Sequence, residues 1–265
     1  MNALRHFLLA VQFFTRVPVT GRLADWVGYS PEMLRASAAW YPVVGLVVGA
    51  VGAGVAWALL QVLPPVAGAP FAAAALSTAV TVLFTGAFHE DGLADVADGL
   101  GGSLQRERAL QIMKDSRIGA FGAIAMVLGL ACKLGLLAVI AAADAQALVA
   151  ALLLGHALSR YWPLLIVREL DYVGEANGSK AKPIAESISN RSLLVASACT
   201  LLVLACGAWQ LGPLWVAAAV LLSGLAWRIL ARWLRRRLQG FTGDCLGAVQ
   251  QVCEIACYLG IAVTL

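Results

Sequence analysis

From Ser192 to Trp227 the chain runs for 36 residues without a charged side chain. One helical crossing of a bilayer takes about 20 apolar residues. This run is therefore too long for one crossing, and Gly212-Pro213 divides it into a helical hairpin. Trp40 to Leu63 and Val66 to Phe88 are also uncharged, and Leu246 to Leu265 carries only Glu254. Two further spans are less pure. Phe121 to Ala143 contains Lys133, and Ala147 to Val167 contains His156 and Arg160. Only 13% of the residues are charged, against about 25% in soluble domains. The expected fold class is an all-α integral membrane protein, a polytopic bundle of about seven transmembrane helices. The spans fall near 40–62, 69–88, 121–143, 147–167, 193–211, 214–230 and 246–265.

Arg5 followed by the apolar run Phe7 to Phe14 has the outline of a short signal peptide. No small-residue cleavage site follows, and Thr15-Arg16-Val17-Pro18 ends the run. An interfacial N-terminal helix lying against the bundle is the expectation. The six cysteines form no C-x-x-C pair, and five lie within spans. They read as buried thiols rather than zinc ligands or disulfides.

Seventeen of the 19 basic residues fall at or between spans on one side of the membrane. They cluster before the first span, between spans two and three (Arg106, Arg108, Lys114, Arg117), between spans four and five (Arg168, Lys180, Lys182, Arg191), and around the end of span six. The loops near 63–69, 144–146 and 212–213 contain none. The positive-inside rule puts the N-terminus and the long loops in the cytoplasm and the C-terminus outside. Every loop long enough to hold chemistry then faces the cytoplasm. No internal repeat suggests the inverted halves of a transporter.

Four of the 15 acidic residues lie within nine positions: Glu90, Asp91, Asp95 and Asp98. The aspartates are spaced i, i+4, i+7 and share one face of a helix, with Glu90 a quarter turn away and His89 adjacent. No Lys or Arg lies between Arg35 and Arg106. Like charges so stacked repel one another, and Mg²⁺, a hard cation that takes carboxylate and phosphate oxygens, is the simplest counter-charge. A solvated acidic helix end is the competing structural reading. Downstream, Lys114 and Arg117 are i, i+3 and suited to phosphate oxygens, and Asp115 offers a further metal ligand. Asp244 precedes the last span on the same side as the acidic row. Glu254, His156 and Arg160 lie at membrane depth, where Glu254 either serves function or pairs with Arg160 or Lys133. An acidic metal site beside basic phosphate ligands points to phosphoryl or nucleotidyl transfer.

Four stretches resemble the cobalamin synthase family, the adenosylcobinamide-GDP ribazoletransferases. They are Phe14-Thr-Arg-Val-Pro18, His89-Glu-Asp-Gly-Leu-Ala-Asp-Val-Ala-Asp-Gly99, Ile112-Met-Lys-Asp-Ser-Arg-Ile-Gly119 and Thr242-Gly-Asp-Cys-Leu-Gly-Ala248. The resemblance runs in order along almost the whole chain and implies one membrane-embedded domain over residues 1–265. It implies transfer of the cobinamide-phosphate moiety of adenosylcobinamide-GDP to α-ribazole or its 5′-phosphate. GMP is released and adenosylcobalamin or its 5′-phosphate forms, in the last steps of cobalamin biosynthesis. Mg²⁺ is the implied cofactor. Under the resemblance Asp91, Asp95 and Asp98 hold metal with Glu90 or Asp115 assisting, and Lys114 and Arg117 hold the diphosphate. His89 or one of the aspartates takes the hydroxyl proton, Asp244 completes the site, and Arg16 either contacts phosphate or anchors the N-terminal helix.

The implied setting is a bacterial or archaeal cell (inner) membrane, with the active site on the cytoplasmic face. The lipid bilayer is the expected partner, no nucleic acid is expected, and a homo-oligomer stays open. Two other readings stay open as well. One is a CDP-alcohol phosphotransferase of phospholipid synthesis, whose signature the D-G-L-A-D-x-x-D core partly echoes. The other is a cation or corrinoid transporter.

Overall fold

The computed structural model describes residues 2–174 and 187–265, and these are helical almost throughout. The basic residues Lys180 and Lys182 lie outside the described residues. Helix α1 (Asn2–Phe14) is short and apolar. The short helices α2 (Gly21–Val27) and α3 (Pro31–Ser37) follow, and a 3₁₀ turn leads into α4 (Tyr41–Val62). Then come α5 (Ala69–Thr85), α6 (Phe88–Gly102), α7 (Arg106–Met113), α8 (Ala120–Ala143), α9 (Ala145–Ser159) and α10 (Trp162–Glu169). The chain ends with α11 (Asn190–Leu211), α12 (Pro213–Arg237) and α13 (Gly243–Ala262).

Local sequence sets the boundaries. Ser30 accepts a hydrogen bond from the Met33 amide and Pro31 opens α3. Asp144 caps α9 through the Gln146 amide, and Ser189 caps α11 through that of Ser192. Gly212, with φ +96°, makes the expected break between α11 and α12.

Among the described residues six helical stretches are long and apolar enough to cross a membrane: Pro31–Val62, Ala120–Ala143, Ala145–Glu169, Asn190–Leu211, Pro213–Arg237 and Gly243–Ala262. Helices α5 and α6 form a bent pair whose axes meet at 90°, and the candidate crossings number seven when that pair is counted as one broken span. The expected span near 69–88 stops at Thr85, where α6 turns away from the α5 axis. The expected span over 147–167 is also interrupted, because the chain turns at Arg160-Tyr161 between α9 and α10. Pro163 in the first turn of α10 accounts for the restart.

Burial ranks the spans. Of the 18-residue apolar stretch in each span, 78% is buried within the molecule in Ala145–Glu169 and 67% in Gly243–Ala262, against 17% in α8 and in α11. The α9–α10 span and α13 thus form the centre, and α8 and α11 turn most of their surface to lipid. Close approach of α4 to α9 uses the pair Gly45 and Gly49, where a Cβ on Gly49 would come within 2.8 Å of the Leu152 carbonyl. On the other side Gly260 of α13 lies against the Ala218 backbone of α12.

Helix α1 lies on the bundle as expected, buried through Leu9, Ala10 and Phe14, with Arg5 Nε donating to the Val27 carbonyl at 2.9 Å. The cysteines are all free. Their expected burial holds for Cys245, Cys253 and Cys257, whereas Cys132 and Cys206 are exposed and Cys199 is half-buried. The two exposed thiols lie on the lipid-facing helices α8 and α11.

Candidate active site

The site starts from the bend between α5 and α6. Gly86 (φ +70°) ends α5 in the left-handed conformation, and Ala87 (φ +58°) repeats it. A left-handed alanine costs on the order of 1 kcal/mol, so the surroundings must hold the bend. Part of that hold is Arg16. Its amide donates to the Phe84 carbonyl at 2.8 Å, and its side chain lies against Gly86, where any Cβ would collide with it. Arg16 thus anchors the N-terminal segment to the bend.

Beyond the bend α6 is helical across the whole acidic motif, and its aspartates form a row of decreasing exposure. Asp91 is exposed, Asp95 half-buried and Asp98 buried. Asp244, in the first turn of α13, faces the same row. The two helices touch there through glycine. A Cβ on Gly92 would lie 2.6 Å from the Asp244 carbonyl oxygen, and one on Gly247 would lie 3.1 Å from that of His89. Asp244 is held in turn by the Thr242 hydroxyl, which donates to its Oδ2 at 3.2 Å. The loop before it is pinned by Val173 and Phe241. The Val173 amide donates to the Phe241 carbonyl at 2.9 Å, and the Phe241 amide to that of Asp171 at 3.0 Å.

Asp95 sits at the electrostatic centre. Partial burial, then the charges of Asp244, Asp91 and Asp98, push its carboxyl up to about 7. A carboxyl so surrounded by like charge favours a nearby counter-charge. Among the described residues no group of three or more His, Cys, Asp or Glu side chains is gathered tightly enough to cage a metal ion. Mg²⁺ commonly binds through one or two carboxylates plus substrate phosphates. An open site of that type would draw on no more than two of Asp91, Asp95 and Asp244, since a cage made wholly of protein ligands is absent from the described residues.

The structure gives Asp98 a second occupation. Its Oδ2 accepts from the Gly119 amide at 2.7 Å and its Oδ1 from the Gly122 amide at 2.8 Å. Asp98 therefore caps the N-terminus of α8 from another helix, where a carboxylate meets both orphan amides and the positive end of the helix. Gly119 and Gly122 leave no room for a side chain beside that carboxylate.

Glu90 points the other way. Its Oε1 accepts from Gln251 Nε2 at 2.9 Å, and its Oε2 is buried without a partner. It opens a chain of polar groups through the bundle. Gln251 donates to Gln250 at 2.9 Å, and Gln250 Nε2 donates to Glu254 Oε2 at 2.6 Å and to Ser159 at 2.9 Å. Glu254 then pairs with Lys133 Nζ at 2.5 Å, accepts from the Tyr258 hydroxyl at 3.0 Å and lies 3.4 Å from His156 Nδ1. Arg160 donates through Nη1 to the His156 carbonyl at 3.0 Å. Of the two alternatives for Glu254, the structure takes the pairing with Lys133. His89 is buried behind the aspartate row, stacked on Phe14 at 5.7 Å.

The basic loop departs from a helical reading. Helix α7 ends at Met113, so Lys114 and Arg117 share no helix face. Arg117 instead grips Asp115, with Nε 2.9 Å from Oδ1 and Nη2 2.5 Å from Oδ2. That contact holds the Asp115 carboxyl down at about 2. The loop still lies next to the acidic row, because it runs directly into Gly119, whose amide donates to Asp98.

Sequence reasoning gave no role to Arg237, Gln250 or Gln251. Arg237 donates to the carbonyls of Leu100 (3.1 Å) and Ser103 (2.5 Å), which closes the C-terminal end of α6. Two adjacent glutamines in a last span that is otherwise mostly apolar were the available signal for the polar chain.

The family model for cobalamin-5-phosphate synthase matches residues 6–262 of the chain. The chain is 57% identical to an adenosylcobinamide-GDP ribazoletransferase of Albidiferax ferrireducens, with 99% of each chain covered. It is 55% identical to the protein of that name in Polaromonas naphthalenivorans, with both covered in full. To that of Vibrio cholerae it is 41% identical, over 96% of this chain and 91% of the other. No solved structure matches.

Proposed function

The chain belongs to the cobalamin-5-phosphate synthase family, and from that premise we propose that it is an adenosylcobinamide-GDP ribazoletransferase working at the cytoplasmic surface of a bacterial membrane. Residues 1–265 act as one unit. The ribose hydroxyl of α-ribazole, or of its 5′-phosphate, attacks the phosphorus that carries the cobinamide. The bond from that phosphorus to the GMP oxygen breaks, GMP leaves, and adenosylcobalamin or its 5′-phosphate remains.

The observation that carries this reading is the convergence of Asp91, Asp98 and Asp244 on Asp95, which is pushed up to about 7. A half-buried carboxyl at that value takes or gives a proton near neutral pH, and its Oδ atoms suit it to accept the proton of the attacking hydroxyl. Asp95 with Asp91 or Asp244 would hold Mg²⁺, which supplies charge neutralisation for the diphosphate when bound. Asp98 sets the position of α6 against α8, and so the distance between the acidic row and the loop bearing Lys114 and Arg117. Those two side chains serve the diphosphate, with Arg117 exchanging Asp115 for phosphate oxygens. His89 and Glu90 support the row from behind.

The cytoplasmic placement rests on the charge bias of the loops. Neither phospholipid synthesis nor transport is favoured by any feature of the site. Purified protein in liposomes, given adenosylcobinamide-GDP and α-ribazole 5′-phosphate, should form the corrinoid product and GMP in equal amounts. Product formed instead from CDP-activated lipid and an alcohol, with no GMP, would overturn the assignment.

A further inference from the structure

A cavity of about 290 Å³ opens between the N-terminal helices and the start of α11. That is many times the roughly 10–15 Å³ that one water needs. Its walls are of two kinds. Ala39, Trp40 and Val195 are apolar, and His6, Arg191 and Ser192 are polar or charged. Phe7 braces Trp40 edge to face at 6.1 Å, which fixes that wall. His6 and Phe14 stand at opposite ends of α1, about 12 Å apart along the helix axis. The cavity is therefore separate from the aspartate row, which Phe14 borders through His89.

Three features fix the kind of occupant. The first is charge. Arg191 is exposed and has no ion pair among the described residues, and no carboxylate lines the cavity. An anion is the complement. The second is depth. Trp40 directly precedes α4, and Arg191 lies in the first turn of α11, so the cavity sits at the ends of two candidate crossings. The basic loops put those ends on the cytoplasmic side. The third is the surface alongside. Leu194 and Leu202 stand at i+3 and i+11 from Arg191, on the same side of α11. They are 71% and 67% exposed, in a helix that turns most of its surface to lipid. A phosphate at Arg191, with acyl chains running along those leucines, meets all three features. A free phosphate or nucleotide uses the charge alone and leaves Trp40, Val195 and the leucine face without a partner.

We propose that this cavity binds the phosphate headgroup of an anionic phospholipid from the cytoplasmic leaflet, with Arg191 on the phosphate and the acyl chains along α11. Basic pockets between membrane helices on that side take anionic headgroups by the same electrostatics. The proposal does not depend on the transferase reading, since the lipid is a bound partner and not a substrate.

The test titrates the full-length protein in detergent with phosphatidylglycerol or phosphatidylcholine, with and without inorganic phosphate, and reads bound lipid by native mass spectrometry. Wild type should bind phosphatidylglycerol more tightly than phosphatidylcholine, and inorganic phosphate should not displace it. Arg191→Gln should weaken phosphatidylglycerol about fivefold, the scale of one basic residue at an anionic surface. Ala3→Trp crowds the cavity from an exposed position on α1 and should weaken the same lipid without any change of charge. Arg236→Gln removes an exposed charge at the end of α12 and should leave binding unchanged. Arg191 and Ala3 are both exposed, so both variants should fold. Equal affinity for the two lipids, unchanged binding in Arg191→Gln or in Ala3→Trp, an equal loss in Arg236→Gln, or displacement by inorganic phosphate would overturn the proposal.

Discussion

The carboxylate of Asp98 accepts the amide of Gly119 at 2.7 Å and so joins the acidic helix to the start of a membrane span. Its other oxygen takes the amide of Gly122. In Asp98→Asn one of these acceptors becomes an NH₂ facing an N–H. The loss should be about 1–3 kcal/mol of stability, seen as a lower melting temperature in detergent with or without Mg²⁺. A variant with unchanged melting and a lost response to Mg²⁺ would instead make Asp98 a metal ligand alone.

Asp95→Asn should behave in the opposite way. The folded value near 7 lies above the ordinary 3.8. Ionising Asp95 therefore weakens the fold as pH rises from about 4 to about 7, and below that window the penalty is absent. At pH 8 without divalent cation, Asp95→Asn should melt no lower than wild type. Wild type should gain melting temperature on adding Mg²⁺, less so below pH 7 where a proton must be displaced, and the variant should gain little. Equal gains in both proteins would remove Asp95 from the metal site.

Gly92→Ala puts a methyl group 2.6 Å from the Asp244 carbonyl oxygen, and backbone at that point can give only by moving α6 from α13. Displacement of catalytic groups by about 1 Å can cost on the order of a hundredfold in rate. Steady-state kinetics on the variant should show kcat lowered by at least tenfold in a protein that still inserts and folds. Full activity would mean that the α6–α13 spacing is unimportant.

Lys133 and Glu254 are both fully buried, 2.5 Å apart. Lys133→Met takes the ammonium away from a carboxylate buried at membrane depth and should cost about 3–5 kcal/mol. Adding Glu254→Gln should recover much of it. Measured in denaturant or by thermal melting, a double variant no more stable than Lys133→Met would refute the pairing as the reason for the loss.

The parts of this molecule that sequence made legible have short-range physical causes. The spans follow from runs of apolar residues, and the aspartate face follows from i, i+4, i+7 spacing, which a helix converts directly into adjacency. The N-terminal helix docks as its apolar run implied. What was hidden depends on long-range contacts or on backbone choices with weak residue signals. The bend at Gly86-Ala87 places an alanine in a conformation that few alanines adopt, so the apolar run outlasts the helix that it forms. Asp98 finds its amides 21 and 24 residues away, and no local pattern marks a cap supplied by another helix. Glu90 stands next to Asp91 in sequence, but the helix turns it inward to Gln251, 161 residues on. Lys114 and Arg117 were spaced for a helix that stops at Met113.

The proposed role of the row centred on Asp95 in cobinamide-phosphate transfer is tested most directly by following GMP release from adenosylcobinamide-GDP in liposomes containing wild type or Asp95→Asn, with α-ribazole 5′-phosphate and Mg²⁺ each added or withheld. Wild type should release GMP only with Mg²⁺ and only when the acceptor is supplied, and folded Asp95→Asn should release none. Comparable release by the variant would remove Asp95 from the reaction, and release by wild type that ignores Mg²⁺ would remove the metal from it.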